Sequence, residues 1–146
     1  MKKVILVTSV ILVLGIIICM VVLNNVIPEI KPIYKQIEIK SNAGKESLFL
    51  KQKVWGITSD NSIIVISNSS KNEFEIDSAS DYVFKGYSTF FYRQVQDSLY
   101  VYVSKKVKIP PKLYTEFEIT QIELSNTEMM NLLANNSYKK KGLYLF

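Results

Sequence analysis

Residues 4 to 23 read VILVTSVILVLGIIICMVVL, twenty positions without a charge. A helix of that length rises about 30 Å, the thickness of a bilayer's hydrocarbon core. Fifteen of the twenty are Val, Ile or Leu, and together they favour insertion by roughly 6 kcal/mol. The run predicts one N-terminal transmembrane helix at 4–23, with the lipid bilayer as a partner of the chain. A cleaved signal has an apolar core of about 7–15 residues and small residues at its cut site. Here the core is longer and its exit, Leu23-Asn24-Asn25-Val26-Ile27-Pro28, has no such site. Cys19 follows Ile18, too bulky for the lipid-attachment motif. An uncleaved signal anchor is therefore expected.

Orientation follows from the flanking charges. The amino terminus, Lys2 and Lys3 crowd one end of the run, whereas Asn24 and Asn25 meet the other and Glu29 precedes Lys31. Positive charge stays in the cytoplasm, so residues 1–3 are expected inside and the rest of the chain outside. The chain is rich in Lys, Ile and Asn, as are proteins of AT-rich bacteria. The expected location is thus a bacterial inner (cytoplasmic) membrane, single-pass, with an extracytoplasmic C-terminal domain.

Beyond the run, Pro28 and Pro32 cannot sit inside a helix and bias their predecessors to extended backbone, which predicts a tether at 24–35. From 36 to about 124 the hydrophobic period is two. Ile37 and Ile39 alternate with Glu38 and Lys40. Residues 54–57 and 62–66 flank a turn cluster at 58–61 and read as a hairpin. Phe74 and Ile76 alternate with acids, and 90–95 and 99–103 form a second hairpin around 96–98. In the latter Leu99, Val101 and Val103 share one face and Tyr100 and Tyr102 the other. Residues 115–124 alternate again. This pattern predicts a mainly β domain over 36–146, seven or eight short strands in a compact antiparallel sandwich or barrel.

Near the end the period changes. Ser125-x-x-Glu128 has capping-box spacing before Met129, Met130, Leu132 and Leu133, and Gly142 is a natural stop. A short C-terminal α-helix is expected at about 126–140. The apolar tail Leu143-Tyr144-Leu145-Phe146 is expected to return to the body as an edge strand or core plug. Its ending resembles the terminal aromatic signal of outer-membrane β-barrels, but an uncleaved anchor and the charged run 105–108 do not suit that route.

Catalytic chemistry is poorly supplied. The chain has no histidine, the commonest general base and metal ligand. Its one cysteine, Cys19, lies inside the apolar run, leaving the domain without thiol nucleophile, thiolate metal site or disulfide. Asn42 to Ser47 holds a Gly-Lys pair without phosphate-loop spacing. Asp77 and Asp81 bracket a serine-rich loop without the carboxylate density of a calcium loop. No catalytic residue, metal ligand or cofactor is therefore assigned. Net charge is +5, and Arg93 is the sole arginine, so nucleic acid is not an expected partner.

What remains are surface features. Lys105, Lys106, Lys108 and Lys112 cluster around Pro110-Pro111 and would suit anionic lipid or an acidic protein. Tyr100 and Tyr102 stand on the strand face opposite the core and would suit a ligand. The resulting expectation is a non-enzymatic binding or scaffolding module of the cell envelope with a protein partner. Two alternatives are a small anchored hydrolase using Ser and Lys or carboxylates, and a cytoplasm-facing regulator or immunity-type inhibitor.

Overall fold

The computed structural model describes residues 12–21, 31–42, 44, 46–56, 58, 61–71 and 74–146. Two compact units result, Met1–Lys31 and Pro32–Phe146. In the first, residues 12–21 form a helix (α1) whose apolar side chains are exposed, Leu12 and Met20 by 63% each. Positions 4–11 and 22–23 of the expected span lie outside the described residues. Among the described residues no helix is long and apolar enough to cross a membrane.

The second unit is mainly β. Sheet A holds β1 (Ile33–Lys40), β2 (Ser47–Trp55), β3 (Asn61–Ser67) and β4 (Tyr82–Lys85) in chain order, antiparallel throughout. Sheet B holds β5 (Phe91–Val95), β6 (Ser98–Val103), β7 (Glu118–Glu123) and β8 (Tyr144–Leu145), ordered β7-β6-β5-β8. The sheets do not close into a barrel. Their facing sides interleave Leu48, Leu50, Ile64, Ile66 and Phe84 of sheet A with Leu99, Val101 and Val103 of sheet B and with Phe90 just before β5, all fully buried. That arrangement is the one that period-two alternation dictates, since every second side chain points into the same layer.

Four expectations need correction. The sandwich is not wholly antiparallel, because β7 lies parallel to β6. The chain leaves β6 at Val103 and needs the crossover 104–117 to regain the end at which β6 began. No strand forms at 74–77. Those residues belong to the segment 68–81 on the outer face of sheet A, where Phe74 meets the Tyr34 ring at 6.1 Å. Phe74 packs there while Ile76 is exposed, and β4 is already paired to β3. The expected tether is shorter at its C-terminal end, since β1 starts at Ile33. Pro32 sits just before it, where a missing N–H removes no ladder bond.

The helix expected at 126–140 is broken. The capping box forms: Ser125 Oγ accepts from the Glu128 N–H at 3.3 Å while the Glu128 carboxylate accepts from the Ser125 N–H at 2.8 Å. It opens α2 (Asn126–Leu133). A 3-10 turn, Ala134–Asn136, follows, then α3 (Ser137–Lys140). Asn135 and Asn136 carry φ of 52° and 54°, the left-handed region that asparagine tolerates better than most residues. Ser137 Oγ donates to the carbonyls of Asn131 and Leu132, which the kink leaves without helical partners. Both helices pack on the outer face of sheet B through Leu132 and Tyr138 against Phe91.

Gly142 then turns the chain at φ 66°. The Leu143 N–H donates to the Tyr138 carbonyl and the Gly142 N–H to that of Lys139, each at 3.0 Å. These are the two bonds of a Schellman stop, and Leu143 and Tyr138 make its apolar contact. The tail is docked as expected, by a different pair of side chains: Leu143 and Phe146 are buried, Tyr144 and Leu145 exposed. Leu143 joins the helix layer, and Phe146 crosses to the core between the sheets.

Candidate functional site

Hairpin pairing of β5 with β6 sets Arg93 opposite Tyr100 and Phe91 opposite Tyr102 on the outer face of sheet B. The helices cover only part of that face. Where their cover ends, a groove of about 320 Å³ opens between strand and helix. Its floor and walls are apolar, from Tyr102, Leu124, Leu132 and Leu143, and its polar groups are Arg93, Lys141, Glu128 and Asn131. A mostly apolar concavity with a few convergent polar groups is the usual form of a binding site.

Arg93 is the unusual member. Its guanidinium carbon lies 5.7 Å from the Tyr100 ring, so the ring face steadies the cation. Its Nε is buried without a hydrogen-bond partner. An unsatisfied buried donor costs on the order of 1–3 kcal/mol, more when charged. Glu128, on the rim, is held by Ser125, whose side-chain and backbone hydrogen bonds keep its carboxyl below the usual carboxylate range and so anionic. Arg93 and Lys141 against Glu128 leave the groove with a net positive charge over an apolar base. Such a site suits a carboxylate carried on an apolar group, with the planar fork meeting both oxygens.

A second cleft, of about 600 Å³, lies on the outer face of sheet A beneath the segment 68–81. Lys51 of β2 stands in it at only 4% exposure. Its ammonium donates to the Lys71 carbonyl at 2.9 Å. Burial pulls the Lys51 pKa down, and the carboxylates of Asp81 and Glu75 only partly offset this. Around it are Ser67, Ser69, Ser80 and Asp77, most of them engaged in shaping the loop. Ser67 Oγ accepts from the Ser69 N–H at 3.1 Å. Asp77 accepts from the Ala79 N–H and the Ser80 hydroxyl, which hold its carboxyl below the usual range. Asp81 accepts from the Asp77 N–H at 2.9 Å. Among the described residues no group of three or more His, Cys, Asp or Glu could hold a metal.

The residues singled out from sequence scatter. Tyr102 lines the groove and Tyr100 lies against Arg93 beside it. Lys105, Lys106, Lys108 and Lys112 are exposed but do not converge. Lys105 is fixed at Tyr87, whose Oη accepts from the Lys105 N–H at 2.8 Å. Lys112 sits at the opposite end of the sandwich, donating its N–H to the Ala79 carbonyl at 2.8 Å. Arg93 and Lys51 are what sequence reasoning missed. The three-residue turn expected at 96–98 would set Arg93 opposite Val101, and only the observed two-residue turn, with Val95 opposite Ser98, pairs it with Tyr100; nothing in the alternation separates buried Lys51 from Lys53. No family model matches the chain, and neither the curated proteins nor the solved structures contain a significant match to it.

Proposed function

We propose that this chain is a single-pass, membrane-anchored binding module of the bacterial envelope, with residues 4–23 as anchor and the two-sheet domain outside the cytoplasm. Its groove between sheet B and α2 would take an acidic segment of a protein partner, without catalysis. The observation that supports this best is Arg93, a half-buried side chain whose Nε is buried and unpartnered at the edge of an apolar groove. Affinity purification of the full chain from solubilised membranes tests it. A partner should co-purify with wild type and be lost from Arg93→Ala at unchanged thermal stability; identical partner sets from both would contradict the reading. The topology has its own check. A reporter active only outside the cytoplasm, fused after Phe146, should be active, and activity of a cytoplasm-only reporter would reverse the orientation.

A second reading, the anchored hydrolase, draws on Lys51, whose depressed pKa would let a neutral amine serve as base for a serine in the same cleft. Labelling of one cleft serine by a fluorophosphonate, lost in Lys51→Met, would favour it over the binding module.

A further inference from the structure

We infer that the end of the domain where β1 begins is a lipid-facing surface, resting on anionic headgroups through Tyr34, Lys53, Trp55 and Lys85. The inference deepens the anchoring proposed for residues 4–23 and names the part of the domain that meets the bilayer. Strand register builds the surface. Tyr34 pairs with Lys53, Lys53 with Ile63 and Ile63 with Lys85, so the four form one row across the outer face of sheet A. Trp55, opposite Asn61, stands one step nearer the end. Large apolar groups are left in the open there: Ile33 is 63% exposed, Tyr34 55% and Trp55 38%.

The Lys53 ammonium sits 5.8 Å from the Tyr34 ring and 5.7 Å from the Trp55 ring. Aromatic rings interleaved with lysine are the chemistry of a membrane interface, where the rings sit at headgroup depth and the ammonium groups meet phosphate. Tyr87, just beyond β4, brings Lys105 to the same end by accepting its N–H and donating to its carbonyl at 2.7 Å. Acids lie at both ends: Glu123, opposite Val103, stands at this one, and others stand at the far one. Asp97 caps the Asn42 N–H at 2.6 Å, Glu46 accepts from the Glu116 N–H at 2.8 Å, and Asp77 and Asp81 lie in the turn before β4. The lysine–aromatic cluster stands at the end that the chain reaches first after the apolar run. Nine residues, 24 to 32, separate the two, a reach of at most about 30 Å.

Trp55 is the only tryptophan, so its fluorescence reports on this surface alone. The full chain is reconstituted into vesicles of phosphatidylcholine, or of phosphatidylcholine and phosphatidylglycerol at about 7:3, with bromine on the acyl chains. The expected result is a blue shift and at least about twofold stronger bromine quenching of Trp55 in the anionic vesicles, relieved by about 1 M salt. Lys53→Glu with Lys85→Glu should abolish the difference, and Lys85→Glu alone, at an exposed site, should reduce it. Co-flotation with both vesicles but equal, salt-insensitive quenching would overturn this surface while leaving the anchor standing. Flotation with anionic vesicles alone, released by salt, would support the surface and reject the anchor. Flotation with neither would reject both.

Discussion

Removing Leu143–Phe146 is expected to lower the stability of the domain by about 5–8 kcal/mol, most of what a domain of this size possesses. The effect resides in two side chains. Phe146, 3% exposed, packs its ring 5.7 Å from that of Phe90 in the core, with the Lys35 ammonium 4.4 Å above it. Leu143, 6% exposed, joins Phe91, Leu132 and Tyr138 in the helix layer. Backbone pairing adds little, since β8 contributes only Leu145 opposite Phe91 and Tyr144 opposite Tyr92. Phe146→Ala alone should cost about 3–5 kcal/mol, because its neighbours can close the space only partly. Urea unfolding of the full chain in detergent, followed by circular dichroism, measures both. An unchanged midpoint, with rapid amide exchange across 143–146, would mean that the tail is free.

Lys51→Met is expected to stabilise the domain near neutral pH by about 1–2 kcal/mol, and to flatten its dependence on alkaline pH. Burial penalises the Lys51 ammonium and lowers its pKa in the folded chain, so the unfolded chain binds the proton more tightly. Folding therefore releases part of a proton between the lowered value and the ordinary lysine value, and wild-type stability rises with pH across that window. Methionine fills the same volume without a charge to desolvate. Stability measured at several pH values from neutral upward should show the wild-type curve climbing towards that of the variant. A variant less stable than wild type at every pH would mean that the bond from Lys51 to the Lys71 carbonyl holds the segment 68–81 more strongly than burial opposes it.

Local chemistry was legible wherever a pattern had one physical cause. Alternation in 99–103 gave the buried Leu99, Val101 and Val103, and Ser125 with Glu128 gave the capping box. Gly142 marked the stop that redirects the tail. Patterns with two causes misled. Phe74 and Ile76 alternate as a strand does, yet they belong to a loop laid on a sheet, and only the structure shows β4 already occupying that edge. Running the helix from Leu133 on to the stop at Gly142 passed over the kink at Asn135 and Asn136, whose positive φ no periodicity reveals. The parallel pairing of β7 depends on where a crossover returns, which short strands do not encode. Of the candidate site, the tyrosine face was visible, but the groove beside Tyr102 exists only because α2 packs on sheet B. Arg93 became notable through an unpaired atom rather than through its type.

Site-specific photo-crosslinking in intact cells tests the binding role most directly. A photoreactive residue at Asn131, exposed on the groove, should give one discrete protein adduct that disappears with Arg93→Ala. The same residue at Ile109, 68% exposed on the crossover, should give none. Equal adducts from both positions, or an Asn131 adduct indifferent to Arg93, would contradict a partner seated in the groove.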